Sequence, residues 1–215
     1  MNAQPGLLSA GQVARVFFAF AAAYFISTLL RAVTATLAPV LSEEMHLHAS
    51  DLGLLAGGYF LGFALTQLPL GALLDRHGPR KVILAFLAVA VAGCAGFALA
   101  TGFTGLLMAR VVIGMGVSAC LMAPLTGYRR WLRPGMQLRA NAWMLMTGSM
   151  GMVASTLPVQ WLMPVLGWRG LFWVLAGTLA LSMLVIAYAV PPGRPVPPRP
   201  CRCPWASRPR RGRGP

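Results

Sequence analysis

The chain has 215 residues, 57% of them hydrophobic and 10% charged, with a mean hydropathy of +0.68. A soluble domain carries about a quarter charged residues, so a cytosolic enzyme and a disordered chain are both excluded and an integral membrane protein remains. The net charge of +14 does not indicate nucleic acid, because the basic residues, Lys81 and 17 arginines, are not gathered on a polar domain.

A membrane-crossing helix needs about 20 apolar residues, and the charges divide the chain into six such stretches. Residues 1–12 form a short leading segment. Span one covers 13–38, with Arg15 at its start and Arg31 inside. Residues 52–74 carry no charge and form span two. The uncharged stretch 82–109 is broken by Thr101-Gly102-Phe103-Thr104-Gly105, which reads as a turn. That turn yields span three, 82–101, and span four, 104–128. Residues 140–168 give span five, with Pro164 and Gly167 marking its end, and span six runs over 171–190 to Pro191-Pro192. No run alternates with period two over ten residues, which excludes a β-barrel. The first apolar run is too long for a cleavable signal peptide.

Residues 191–215 hold nine Pro, seven Arg and three Gly. Such a segment has no face to bury and is expected to be disordered. Its composition fits a GC-rich gene read out of frame, hence a truncation by frameshift; a genuine polybasic membrane-binding tail is the alternative.

Arg and Lys in the loops set the orientation. Fifteen basic residues fall on the side of the two termini and only Arg169 on the other, beside Glu43, Glu44 and Asp51. Both termini are therefore placed in the cytoplasm, and the chain is read as a multi-pass protein of a bacterial inner (plasma) membrane. Spans three and six contain no Arg, Asn or Gln, whereas the others carry Arg31, Gln67, Arg110, Asn141 and Gln160. The expected fold is all-α, a 3+3 inverted repeat in which the third member of each triplet faces lipid.

The loop between spans two and three reads Gly71-Ala-Leu-Leu-Asp75-Arg76-His77-Gly78-Pro79-Arg80-Lys81. Gly71 admits close backbone approach, Gly78-Pro79 forces a tight turn, and Arg76, Arg80 and Lys81 hold the loop at an anionic leaflet. Asp75 is the only acid on the cytoplasmic side. This sequence closely resembles the G-x-L-x-D-R-x-G-R-R/K signature of the major facilitator superfamily, departing from it at Pro79. Arg110-Val-Val-Ile-Gly114-Met-Gly116 resembles that family's R-x-x-x-G-x-G, with Ile113 where Gln is usual. Trp168-Arg169-Gly170-Leu171-Phe172 resembles the W-R-x-x-F that precedes a sixth helix, read as an interface anchor.

The resemblance implies the amino-terminal half of a solute carrier working by alternating access. In it the residues from Gly71 to Lys81 form a gating loop and Asp75 latches the other half. Arg31, followed eight residues later by Pro39, also resembles the Arg with which the organophosphate antiporters and the anion:cation symporter branch bind an anionic substrate. Independently, a buried guanidinium seeks a carboxylate or phosphate, and no acid lies inside any span; carbonyls or hydroxyls such as Thr34 are the alternative partners. Arg110 is expected at a cavity or in a polar network, or snorkelling outward. Arg31, Arg110, Gln67 and Gln160 are the candidate substrate-binding residues.

The expected partners are a small solute, an organic anion among the candidates, membrane lipid, and a second six-helix half or a second copy. No cofactor or metal is expected: His46 and His48 read as a solvated loop, Cys94 and Cys120 as packing, and Cys201-x-Cys203 lacks further ligands. An intramembrane protease is disfavoured because all three histidines, 46, 48 and 77, lie in loops. A non-transporting fragment, or a half-size subunit pairing with itself, is the alternative function.

Overall fold

The computed structural model describes residues 10–190, and the nine residues before them and the tail 191–215 lie outside it. Among the described residues the regular structure is helical: α1 (Ala10–Met45), α2 (Ala49–His77), α3 (Pro79–Leu99), α4 (Phe103–Val117), α5 (Ala119–Trp131), α6 (Pro134–Ala154) and α7 (Leu157–Ala189). The helices outrun the apolar stretches at several ends. Residues 10–12, expected to precede the first span, belong to α1, which continues through Pro39 and the two glutamates to Met45.

Five stretches are long and apolar enough to cross a membrane, α4 and α5 counting as one. Span four bends at Ser118, whose hydroxyl donates to the Met115 carbonyl at 2.7 Å. Span five is assembled from α6, whose first turns carry Gln137, Arg139 and Asn141, and the opening of α7. The break between them has a local cause. Ser155 and Thr156 bond back to Met152 and Val153, both at 2.6 Å, and Pro158 brings no N–H to the ladder. The buried Ser155 carbonyl accepts from the Thr36 hydroxyl of α1 at 2.7 Å, satisfying irregular backbone from inside the protein. Span six begins at Trp168, where Gly167 (φ 65°, ψ 171°) kinks α7. A left-handed φ of this kind is open to Gly at little cost.

Helix pairing follows the small residues. A Cβ on Gly62 would lie 2.1 Å from the Val111 carbonyl oxygen, and one on Gly114 2.0 Å from that of Tyr59. Thus α2 and α4 touch backbone to backbone. Gly93 and Gly116 also bring α3 close to α4, a Cβ on them lying 2.9 Å from Ile113 N and 2.3 Å from Ala90 N, and Gly148 and Gly151 seat α6 on Tyr24, Phe25 and Thr28 of α1. Span two therefore lies on span four as span five lies on span one, and span three meets span six, chiefly through Phe97 and Phe172 at 4.1 Å. Exchanging the first triplet with the second preserves these pairings, as an inverted repeat requires.

Span three packs on spans four and six and is more enclosed within this chain than span two, whose most apolar window is 22% buried against 44%. The most open surface runs along spans two and five, with Leu65, Leu68, Trp143, Trp161 and Val165 all exposed.

Candidate functional site

Arg31 lies where α1 faces α2. Its guanidinium stands over the Phe63 ring, 5.3 Å from the centroid, a cation–π contact that orients the head without neutralising it. Its Nε is buried and has no hydrogen-bond partner. Tyr59, one helical turn before Phe63, stacks on that ring at 6.5 Å and is only 1% exposed. Its hydroxyl faces the Arg31 side chain and has no other partner.

Arg110 is fully buried. Its guanidinium is held between Phe97 and Phe172, at 4.7 and 5.3 Å from their centroids, and Nη1 donates to the Leu30 carbonyl at 3.0 Å. The side chain does not snorkel; it ties α4 to the turn of α1 that carries Arg31. Nε and Nη2 are unpaired.

Gln67 lines a cavity of about 280 Å³ with Leu70, Gly71, Leu74, Asp75, Met122 and Thr126, grouping it with the start of the loop from Gly71 to Lys81. Gln160 is exposed on the first turn of α7. The four candidates therefore occupy different places: Arg31 and Arg110 are joined through Leu30, Gln67 belongs to the wall above Asp75, and Gln160 stands apart.

The loop from Gly71 to Lys81 is short because Gly78 (φ 79°) ends α2 and Pro79 opens α3. Arg130, at the end of α5, reaches across to it. Its Nη2 donates to the Leu74 carbonyl at 3.3 Å and lies 3.9 Å from Asp75, whose side chain is 83% exposed. Arg80 donates to the Ala187 carbonyl at the end of span six. Arg76 and Lys81 are exposed, as is Gly71, where an added Cβ would meet nothing within 4 Å. On the opposite side, Glu44 accepts from Trp168 Nε1 at 2.6 Å and pairs with Arg169 at 2.7 Å, while Arg169 also donates to Ala100 at 3.4 Å. This joins the outer ends of spans one, three and six.

Sequence reasoning passed over Tyr59, Phe63 and Arg130. The first two are ordinary aromatics in an apolar run, and only the facing of α2 toward Arg31 singles them out. Arg130 was one basic residue among several; its place at the end of span four was the available signal.

A six-helix array with repeat symmetry, a buried cation on span one and a basic loop between spans two and three defines a transporter-type membrane protein. The chain belongs to the major facilitator superfamily: residues 20–207 match the model of that family. It is 29% identical over 150 residues to a probable L-galactonate transporter of Escherichia coli, covering 66% of this chain and 31% of that protein. It is 27% identical to the galacturonate transporter of Dickeya chrysanthemi, covering 71% and 44%. A crystal structure of a bacterial homolog of the human lysosomal transporter Spinster, inward-facing and unoccupied, superposes with a TM-score of 0.72 at 19% identity. That superposition covers 91% of this chain and 47% of that one. The chain thus spans less than half the length of these relatives.

Proposed function

We propose that the chain is one six-helix half of a secondary-active carrier for small organic anions, with Arg31 as the anion contact. The observation carrying this is Arg31 itself. A guanidinium held against Phe63 with Nε unpaired, in spans that contain no acid, has charge and donors left for a ligand. Relatives named for galactonate, galacturonate, hexuronate and 4-hydroxybenzoate support the reading, because all four compounds bear a carboxylate. Arg110 holds the Arg31 turn through Leu30 and acts as a positioning residue. The gating loop is braced by Arg130, leaving Asp75 turned outward toward a second half. Alternating access would then rock this half against its partner, with both termini in the cytoplasm of a bacterial inner membrane.

The open face of spans two and five favours a second reading, in which the partner half is another copy of this chain. Equilibrium binding of labelled galacturonate and 4-hydroxybenzoate to the purified chain in nanodiscs tests the anion contact. Saturable binding is expected. Arg31→Ala should abolish it and Arg31→Lys weaken it, since Lys keeps the charge but not the fork. Unchanged binding in both variants refutes the assignment. Liposomes containing the chain alone are expected to show no uptake; saturable uptake would establish the self-paired carrier instead.

A further inference from the structure

We infer that Tyr59 is the second donor of the anion site, so that the bound group is a carboxylate held by the Arg31 guanidinium on one side and the Tyr59 hydroxyl on the other. This rests on the anion reading above and goes beyond it by naming the recognised group and the residue that selects it.

Two donors meet at one place. Arg31 Nε and the Tyr59 hydroxyl are both buried, the hydroxyl faces the Arg31 side chain, and neither has a further hydrogen-bond partner; both side chains pack on the same Phe63 ring. Burying a donor without an acceptor is costly, and two such groups on facing helices call for one shared acceptor. The Tyr59 oxygen can accept from Arg31, which leaves the phenolic proton and the positive charge to be matched, and no carboxylate of the chain does so: its four acids, Glu43, Glu44, Asp51 and Asp75, all lie outside the apolar spans.

Tyr59 is not free to turn away. Its backbone carbonyl abuts Gly114, where a Cβ would lie 2.0 Å from the oxygen, and its ring is wedged edge-on against Phe60 at 5.4 Å. The hydroxyl is thus presented by a fixed scaffold, which limits the ordering cost of binding.

The donor set also selects the ligand. One guanidinium and one neutral hydroxyl match a single negative charge spread over two oxygens. A phosphate dianion would want a second cationic head, yet Arg110 is enclosed between Phe97 and Phe172 and bonded to Leu30. A site built around a buried polar group discriminates strongly against analogues that leave that group unpaired. The carboxamide of the same sugar acid keeps one acceptor oxygen but loses the charge, and should be rejected.

The test is binding of labelled galacturonate to the purified chain in nanodiscs, with galacturonamide as competitor and the unfolding temperature measured for every variant. Tyr59→Phe should weaken galacturonate binding by about tenfold, as expected for one hydrogen bond to a charged group. Without ligand it should melt close to the wild-type temperature, since the hydroxyl it removes has only Arg31 beside it. The preference for galacturonate over galacturonamide should narrow. Arg31→Gln should abolish binding, and adding Tyr59→Phe to it should change nothing more. If Arg31→Gln abolishes binding while Tyr59→Phe leaves affinity and preference intact, the Tyr59 inference falls and the anion reading stands. If Arg31→Gln binds normally, or the wild-type chain binds no galacturonate, both fall.

Discussion

Replacing Gly62 or Gly114 with Ala should force α2 and α4 apart, and the structure sets the size of the effect. The added carbon would sit 2.1 Å from the Val111 oxygen at position 62 and 2.0 Å from the Tyr59 oxygen at position 114. A carbon–oxygen contact settles near 3.3 Å or beyond, so the helices must separate by roughly 1.2 Å at either site. The obstacle is backbone on both occasions and has no rotamer through which to yield. A gap of 0.5–1 Å already forfeits about a quarter to a half of a dispersion contact, and helix association in lipid relies on such contacts. Each substitution should therefore cost about 2–3 kcal/mol, the upper part of the range for overpacking. The double variant should cost less than the sum, because the second alanine enters an interface already opened. Gly57 and Gly71 provide the control. They lie on the same helix with nothing within 4 Å of a Cβ, so alanine there should stabilise by about 0.5–1 kcal/mol through helix propensity. Thermal unfolding in detergent, followed by circular dichroism, separates the two groups. If Gly62→Ala melts with the wild-type chain, or Gly57→Ala falls as far as Gly62→Ala, the packing argument is wrong.

Two further outcomes follow from the ends and the interior of the bundle. Asp75→Asn should alter the stability of this chain by less than about 0.5 kcal/mol, given its exposed side chain and the 3.9 Å separation from Arg130. Arg130→Gln, which loses the bond to the Leu74 carbonyl, should cost about 1 kcal/mol; chemical denaturation compares them, and equal losses would place Asp75 in the fold of this half. Arg110→Met should leave stability unchanged or raise it by about 1–3 kcal/mol, because the guanidinium it removes is buried with a single hydrogen bond. It should nonetheless weaken galacturonate binding by releasing the turn that carries Arg31. A strongly destabilised Arg110→Met would mean that the interior offers acceptors beyond Leu30.

The helical spans, their order and the short turn between spans two and three were legible in the sequence because each rests on a one-dimensional signal: runs without charge, and Gly78-Pro79. The break at Ser155 was not, since Ser155, Thr156 and Pro158 stop a helix only when their hydroxyls turn back on the preceding carbonyls, a choice that composition leaves open. The packing partners of the spans were not legible for a different reason: in lipid, a helix packed on a helix and a helix packed on acyl chains select the same residues, so the plainness of span three did not reveal its contacts with spans four and six. Glycine carries part of that information: of the six glycines that make small-residue faces on spans two and five, Gly58, Gly62, Gly148 and Gly151 point at a neighbouring helix, whereas a Cβ on Gly53 or Gly57 would meet nothing within 4 Å. At the site, Arg31 stood out as a charge in an apolar run, whereas Tyr59 and Phe63 became meaningful only once α2 was laid against α1.

The open face of spans two and five does not by itself demand a protein partner. Leu68, Trp161 and Val165 are among its most exposed side chains, and acyl chains would solvate them at no penalty. The demand comes from the polar groups interleaved with them. Gln160 is exposed beside Trp161, and Gln67 and Thr126 open with Asp75 into one cavity. Arg31 is partly exposed with a donor unmet. A guanidinium facing hydrocarbon costs at least about 2.5–3.5 kcal/mol on insertion scales, and lipid tails offer none of these groups an acceptor. A surface that is apolar in area but polar at a few fixed points is the kind that the proposed second helical bundle would cover along spans two and five, and under that proposal the residues that burden the chain in a bilayer are the ones that a solute pathway would use.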